Sequence, residues 1–236
     1  VLWQRALVWC QRRRSPPVTV FRVRPLKLRT RVKICGITRT EDALAAAALG
    51  ADAVGLVFYD KSARHVGIQQ AAAICQQLPA FVTAVALFLD AEEVLVNDVL
   101  ANVPVDLLQF HGAEDPAYCE RFGRPYIKAL GMGSLNQQGL ISQSKAYRNA
   151  RGLLLDSHTA GEAGGTGEAF DWSSIPEQLN KPVILAGGLS VSNVAAAVRR
   201  VQPWAVDVSS GVEIGKGIKS AELMSAFMQE VENANR

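Results

Sequence analysis

The chain has 236 residues, of which 49% are hydrophobic and 20% charged, enough for one sizeable hydrophobic core. No apolar run approaches the roughly 18 residues that cross a bilayer, so no membrane partner is expected. The net charge of +3 is uneven: eleven Arg and Lys precede the first acidic residue, Glu41, and the remainder holds 14 basic against 22 acidic residues. An acidic body gives no reason to expect a nucleic-acid partner.

Four scattered cysteines, Cys10, Cys35, Cys75 and Cys119, form no Cys-x-x-Cys pair. This spacing argues against a disulfide framework or a zinc site and is typical of a reducing cytoplasm, which is the predicted location. Cys75 and Cys119 fall on predicted helices beside apolar residues, where we expect them to be core.

Residues 1–30 are rich in Arg, lack acidic residues and contain the break Ser15-Pro16-Pro17. The composition fits an organelle transit peptide, translated upstream sequence or a nucleic-acid-binding tail. We favour a poorly ordered extension outside the fold, because the segment cannot form a core of its own. Residues 31–236 are then the catalytic domain.

From Arg31 onward, apolar runs alternate with helical patterns. The predicted strands are Val32–Ile37, Ala53–Tyr59, Val82–Leu89, Leu107–His111, Tyr126–Leu130, Gly152–Asp156, Val183–Ala186 and Ala205–Ser209. The predicted helices are Glu41–Leu49, Ile68–Leu78, Ala91–Ala101, Pro116–Phe122, Asn136–Tyr147, a less regular Trp172–Leu179, Ser192–Val201 and Ala221–Asn233, with Thr40, Asp90, Asp115 and Ser192 as caps. Eight such units predict an α/β fold, a single (β/α)8 TIM barrel, whose active site lies at the carboxyl ends of the strands.

Two reactive groups end predicted strands: Cys35 ends strand 1 and Asp156 ends strand 6. A thiolate can take a proton from carbon and a carboxylic acid can donate one to a leaving oxygen, a combination suited to a redox-neutral isomerisation. Each has an ordinary alternative, since most free cysteines are buried as small hydrophobes and Asp156 could be a solvated loop carboxylate.

Glycines and hydroxyls follow the last two predicted strands, as Gly187-Gly188 and Ser209-Ser210-Gly211. In barrels this pair of loops commonly holds a phosphate, because glycine lets backbone N–H groups approach an anion closely. We therefore expect these five residues to bind a phosphorylated small-molecule substrate.

Arg64, in the loop after strand 2, offers a guanidinium for a carboxylate, although a solvated loop arginine is the commoner outcome. Gln109 and His111 end strand 4 and are assigned to substrate binding, His111 being a candidate ligand or base. With no second ligand at suitable spacing, zinc is not expected there. The glycine-rich segment 161–167 follows Asp156 and is either a lid over the substrate or a mobile connection.

Seven motifs in register resemble the phosphoribosylanthranilate isomerase family, from Arg31 to the carboxyl terminus. They begin at Val32, Gly50, Gln109, Leu155, Gly164, Leu185 and Val206, and read VKICGIT, GADAVG, QFHG, LD, GGTG followed by FDW, LAGGL and VDVSSGVE. Two places depart from the family pattern. Phe110 replaces a commoner leucine but should point away from Gln109 and His111, and Ile214–Gly217 replaces a stretch that usually contains proline.

The resemblance implies an Amadori rearrangement in tryptophan biosynthesis that needs no metal or organic cofactor. Asp156 would be the general acid, Cys35 the general base, and Arg64 would hold the anthranilate carboxylate. Lys33 lies two residues before Cys35 in the same strand, so both side chains would face the barrel interior. There Lys33 would either assist the thiol or pair with a carboxylate such as Asp207.

Two other readings compete with this one. The first is a histidine-pathway barrel isomerase, which uses two aspartates and is disfavoured by Cys35. The second is a non-catalytic ligand-binding or nucleic-acid-binding barrel, disfavoured by the Cys35–Asp156 pair. The assembly is predicted to be a monomer or a homodimer.

Overall fold

The computed structural model describes residues 29–133, 135–157, 170–176 and 179–236. Eight parallel strands pair in chain order and close into a barrel, with the last strand beside the first. They are β1 Arg31–Cys35, β2 Ala53–Val57, β3 Thr83–Phe88, β4 Leu107–Phe110, β5 Tyr126–Gly131, β6 Leu153–Asp156, β7 Val183–Leu185 and β8 Ala205–Val208. The predicted (β/α)8 barrel is confirmed.

Helices follow seven of the eight strands in the described ranges. They are α1 Thr40–Ala48, α2 Ile68–Gln77, α3 Glu93–Asn102, α4 Pro116–Glu120, α5 Gln137–Ala146, α6 Val194–Val201 and α7 Ala221–Asn235. None of the helices described is long and apolar enough to cross a membrane. The predicted helix Trp172–Leu179 is wrong in its described part, which is a 3-10 turn, Trp172–Ser174. Asp171 caps that turn and Pro176 disfavours helical backbone before it.

Of the four predicted caps, only Asp115 accepts a hydrogen bond from its helix, at the Tyr118 N–H. Thr40 is the first residue of α1, and α3 and α6 start after Glu92 and Asn193 instead of after Asp90 and Ser192. Asp90 adopts a left-handed φ of 47° and accepts from the Ala113 N–H, so its side chain joins two loops. Several residues that could cap a helix lie close together in these loops, and the sequence does not show at which of them the helix begins.

Alternation along the strands separates two layers. One set of residues, including Val32, Ile34, Val54, Leu56 and Phe110, is buried in the large core that also includes residues of the helices. Phe110 lies among aromatic rings there, away from the interior, as predicted. The alternate set faces the barrel interior, which is apolar on one side (Ile127, Ala129, Leu154, Ile184, Ala186, Ala205) and charged on the other. Cys75 and Cys119 are buried free thiols, as predicted.

Two features adjoin the barrel. Thr30, the last residue assigned to the extension, is buried, and its N–H donates to Asn235. The stretch that departs from the family pattern forms a hairpin after β8, with β9 at Glu213–Gly215 and β10 at Ile218–Lys219. The segment 161–167 lies outside the described residues.

Phe81 has a left-handed φ of 72° and a fully exposed side chain, so it carries backbone strain without burying surface. Glycine relieves that strain and a β-branched residue worsens it. We expect Phe81→Gly to be more stable than Phe81→Val by about 1–2 kcal/mol, measured from urea unfolding midpoints. An equal or higher midpoint for Phe81→Val would contradict the strained conformation.

Candidate active site

A cavity lies at the carboxyl ends of the strands, and both predicted reactive groups line it. Its walls are Cys35, Val57, Tyr59, Ser62, Arg64, Leu87, Leu89, His111, Asp156, Asp207 and Ser209. Cys35 and Asp156 come from β1 and β6, so the closed barrel brings together side chains that are 121 positions apart in sequence. A larger cavity lies beside the starts of β7 and β8, near Val183 and Trp204, and neither Cys35 nor Asp156 lines it.

The Cys35 thiol is buried against Val57 and Leu87. Burial raises the pKa of this thiol, and the nearby Asp207 carboxylate raises it further, whereas Lys33 and Lys219 lower it. The net result is a pKa above the ordinary value. The thiolate is therefore the minor form at neutral pH, and once formed it is a strong base.

Gly55, on the neighbouring strand, makes room for this thiol. A Cβ at residue 55 would lie 2.8 Å from Cys35 Sγ and 3.2 Å from Lys33 Cε. Because a real Cβ does not come so close to a sulfur atom, the strand needs glycine here. The missing side chain at Gly55 lets the Cys35 thiol and the Lys33 side chain pack side by side against β2.

Lys33 and Asp207 form a buried ion pair, with Nζ 2.8 Å from Oδ1 and side-chain exposures of 6% and 9%. Burial lowers the pKa of Lys33, but Asp207 and Cys35 outweigh it and the pKa ends raised. Burial raises the pKa of Asp207, and the Asp156 charge adds to that effect. Lys33 therefore carries a fixed positive charge beside the thiol.

Asp156 is 7% exposed and lies near His111, with Oδ2 3.6 Å from the ring Nε2. The Ser157 hydroxyl donates to its other oxygen at 3.5 Å. The Gln109 amide nitrogen donates to His111 Nδ1 at 3.0 Å. A neutral His111 then carries its proton on Nε2, on the side of Asp156. Gln109 is fully buried and does not line the cavity, so its contact is with His111.

Arg64 lines the cavity and is not a solvated loop arginine. Its Nε and Nη2 donate to the two carboxylate oxygens of Glu213 at 2.8 and 2.9 Å. Hydrogen bonding to Glu213 raises the pKa of Arg64, which is charged at any pH of interest.

The two loops predicted to bind phosphate meet at the rim. Gly187 and Gly188 have left-handed φ values of 76° and 62°, and a Cβ at Gly187 would collide with Ser157. A Cβ at Gly211 would collide with the Leu189 carbonyl oxygen, so the loops after β7 and β8 touch. Ser209 lines the cavity, while Ser210 and Gly211 belong to the 3-10 turn Ser210–Val212. Loops of this kind can bind an anion because a glycine has no side chain to cover its backbone N–H group.

Sequence reasoning did not place Glu213 and Lys219 in the site, whereas it expected Lys33 either to assist the thiol or to pair with Asp207, and the structure shows the pair. Lys33 lies two residues before Cys35, and Asp207 two residues before Ser209, so each pair shares one face of its strand, and this alternation was the signal for Lys33 and Asp207. No such signal existed for Glu213 and Lys219, because their contacts depend on the hairpin. Among the described residues, no group of three or more His, Cys, Asp and Glu side chains is placed to hold a metal ion.

Comparisons with known proteins agree with this geometry. The family model described as N-(5′-phosphoribosyl)anthranilate isomerase matches residues 32–230. A relative of that name from Pseudomonas fluorescens is 58% identical over 205 residues, covering 87% of this chain and 97% of the relative. Another from Alcanivorax borkumensis is 57% identical over 208 residues, covering 85% of this chain and 94% of its own length.

Solved structures give the same likeness. A phosphoribosylanthranilate isomerase from Thermotoga maritima superposes with a TM-score of 0.79 at 39% identity, over 86% of this chain and 99% of its own. A phosphoribosylanthranilate isomerase in complex with reduced 1-(o-carboxyphenylamino)-1-deoxyribulose 5-phosphate gives a TM-score of 0.76 at 37% identity, over 86% of this chain and 99% of its own.

The Lys33 charge lowers the pKa of the Cys35 thiol, so removing that charge should raise it. The rate of Cys35 alkylation by iodoacetamide, followed by peptide mass spectrometry, should still rise at pH values where an ordinary thiol is already ionised, because only the thiolate reacts. In Lys33→Met the midpoint of this rise should move to higher pH. Lys61→Met, at an exposed loop position, is the control. A midpoint unchanged or lowered by Lys33→Met would contradict this electrostatic role.

Proposed function

Because this chain belongs to the N-(5′-phosphoribosyl)anthranilate isomerase family, we propose that Asp156 and Cys35 perform its reaction as general acid and general base. The reaction is the Amadori rearrangement of N-(5′-phosphoribosyl)anthranilate to 1-(2-carboxyphenylamino)-1-deoxyribulose 5-phosphate, a step of tryptophan biosynthesis. It is an aldose–ketose isomerisation without net oxidation. The single observation that carries the proposal is that these two groups, from β1 and β6, line one cavity.

In the first step Asp156 donates its proton to the ring oxygen of the furanose. The bond between that oxygen and C1′ breaks while the anilino nitrogen supplies electrons, which leaves an open-chain Schiff base. The Asp156 carboxylate produced lies beside His111 Nε2, which supplies a partner for the charge. The buried Gln109 keeps the His111 ring in this orientation.

In the second step the Cys35 thiolate takes the proton from C2′. The electrons of that C–H bond form a C1′–C2′ double bond and neutralise the Schiff base, giving an enolamine that tautomerises to the ketone. Asp156 has then lost one proton and Cys35 has gained one. The cycle closes when a proton returns to the carboxylate and leaves the thiol. The Lys33 charge beside the sulfur favours the thiolate at the start of this step.

The remaining residues bind the two ends of the substrate. Gly187, Gly188, Ser209, Ser210 and Gly211 supply backbone and hydroxyl donors for the phosphate. Arg64 binds the anthranilate carboxylate by charge-assisted hydrogen bonds. Support for such a ligand comes from the isomerase structure that contains the reduced, phosphorylated product analogue.

The rival readings have less support. A histidine-pathway isomerase would place an aspartate where Cys35 ends β1, and a binding protein has no need for an acid and a base in one cavity. For assembly, monomer and homodimer both remain predictions, and a Thermotoga maritima structure described as derived from a dimeric enzyme supports the homodimer. A cytoplasmic location is proposed from the buried free thiols Cys35, Cys75 and Cys119.

Each member of the acid–base pair should be needed for turnover and less so for binding. Cys35→Ser and Asp156→Asn should each lower kcat by roughly 10² or more, with a smaller change in KM, because general acid–base catalysis is lost. Fluorescence of the anthranilate group gives the initial rates. Cys75→Ala and Asp98→Asn, outside the cavity, are matched controls. Near wild-type kcat in both site variants would refute the mechanism.

Arg64→Ala should act chiefly on KM, with a loss of about 1.5–3 kcal/mol of charged hydrogen bonding. A substrate analogue without the ring carboxylate should be turned over equally poorly by the wild type and by Arg64→Ala. If Arg64→Ala keeps the full preference for the carboxylate, another residue binds it.

A further inference from the structure

We propose that Glu213, itself held by Lys219, is a positioning residue that orients one edge of the Arg64 guanidinium toward the ring carboxylate of the substrate. This inference rests on the proposed function, in which Arg64 binds that carboxylate. It assigns the specificity for an acidic aryl group to a network of three side chains, one on the loop after β2 and two on the hairpin after β8.

Arg64 and Glu213 form a two-point contact with little exposure. Nε and Nη2 donate at 2.8 and 2.9 Å, and the side chains are 16% and 6% exposed. This arrangement uses the side edge of the planar guanidinium. The other edge keeps both N–H groups of Nη1 and one of Nη2, which can bind a second carboxylate in the same two-point manner. In the part of the chain that the structure describes, no acceptor contacts Nη1.

Lys219 also binds Glu213, at the carboxylate oxygen that accepts from Arg64 Nε. Its Nζ lies 2.7 Å from Glu213 Oε1 and also donates to the carbonyl and hydroxyl oxygens of Ser209, at 3.1 and 3.4 Å. The Lys219 side chain has 0% exposure, and these three acceptors match its three N–H groups. Burial raises the pKa of Glu213, but hydrogen bonds from Arg64 and Lys219 outweigh it and the pKa ends below the ordinary value. Glu213 is therefore ionised at neutral pH.

The charges of the network leave a surplus for the substrate. Burial lowers the pKa of Lys219, and the ion pair with Glu213 opposes that effect. With Lys219 protonated, two cations contact one anion and the group of three carries a net single positive charge. Glu213 alone would neutralise Arg64 and reduce its attraction for a carboxylate, and Lys219 restores the balance. A buried guanidinium that is fixed before the substrate arrives also loses less side-chain entropy on binding.

The backbone around the network is constrained. The Lys219 N–H donates to Asp42 in α1, and the Ser220 N–H donates to the Val212 carbonyl, which closes the hairpin. On the other side, Arg64 lies over Gly36, where a Cβ would come within 2.5 Å of its Cδ. Gly36 has a left-handed φ of 74° and directly follows Cys35. The stem of Arg64 thus packs against the residue that follows the thiol.

Ser209 connects this network to the opposite end of the substrate. It belongs to the loop proposed to bind phosphate, and Lys219 contacts both its carbonyl and its hydroxyl oxygen. One buried ammonium therefore contacts both the proposed carboxylate-binding network and the loop proposed to bind phosphate. Glu213 acts on binding through its contact with Arg64, whereas Lys219 also lowers the pKa of the Cys35 thiol.

The test compares two inhibitors, the reduced product 1-(2-carboxyphenylamino)-1-deoxyribulose 5-phosphate and the same compound without the ring carboxylate. The Ki of the carboxylate-free compound divided by the Ki of the reduced product measures carboxylate recognition alone, and a merely structural role of Glu213 would not change this ratio. Glu213→Gln should lower this ratio by about fivefold or more while kcat stays within about twofold, because an interaction made equally in ground and transition states is lost. Glu213→Asp keeps the charge but is too short to hold both cations, so it should lower the ratio too and covers the case that Glu213→Gln fails to fold.

Lys216→Met, an exposed position on the same hairpin, is the matched control and should keep the wild-type ratio. Arg64→Ala separates the proposed role of Arg64 from that of Glu213. If Arg64→Ala brings the ratio close to 1 while a folded Glu213 variant keeps or exceeds the wild-type ratio, the positioning role of Glu213 is refuted and the proposed function stands. If Arg64→Ala itself keeps the ratio, the proposed role of Arg64 fails.

Discussion

A buried ion pair crosses the seam at which the barrel closes. Lys33 on β1 and Asp207 on β8 are register partners, and their charged atoms are 2.8 Å apart in an interior that water hardly reaches. Two desolvated charges are costly, and removing one alone typically costs about 3–5 kcal/mol because the other is left unpaired. The pair therefore ties the first strand to the last and fixes the electrostatic environment of both catalytic candidates. Asp207 lies near Asp156, and Lys33 lies near Cys35.

This environment explains how a buried thiol can serve as a base. Burial and Asp207 raise the pKa of Cys35, which makes the thiolate scarce but strongly basic. The Lys33 charge lowers that pKa and so favours formation of the thiolate. A fully exposed thiol would ionise more readily and be a weaker base toward carbon. Apolar walls from Val57 and Leu87 supply the desolvation, and the missing side chain at Gly55 supplies the space.

Most of the fold could be predicted from the sequence, because each strand is a short apolar run and each connection is brief. The failures are local. Pro176 and the Asp171 cap turn a helical pattern into a 3-10 turn, and neighbouring cap residues such as Ser192 and Asn193 compete for the same role. In the site, the strand positions of Cys35 and Asp156 could be predicted to share a cavity because strand ends obey a simple rule. The pairing of Arg64 with Glu213 could not, because it depends on the hairpin after β8, to which no strand-end rule applies.

The hairpin after β8 has a consequence for how such an enzyme can change. Glu213 and Lys219 lie on a short loop outside the barrel strands, whereas Cys35 and Asp156 lie at the ends of strands within the closed sheet. In the proposed scheme, recognition of the aryl group depends on two loops outside the barrel strands, the one that carries Arg64 and the hairpin that carries Glu213 and Lys219. Changes in those two loops would then alter the substituent that is recognised, while the strands that support the acid and the base stay as they are.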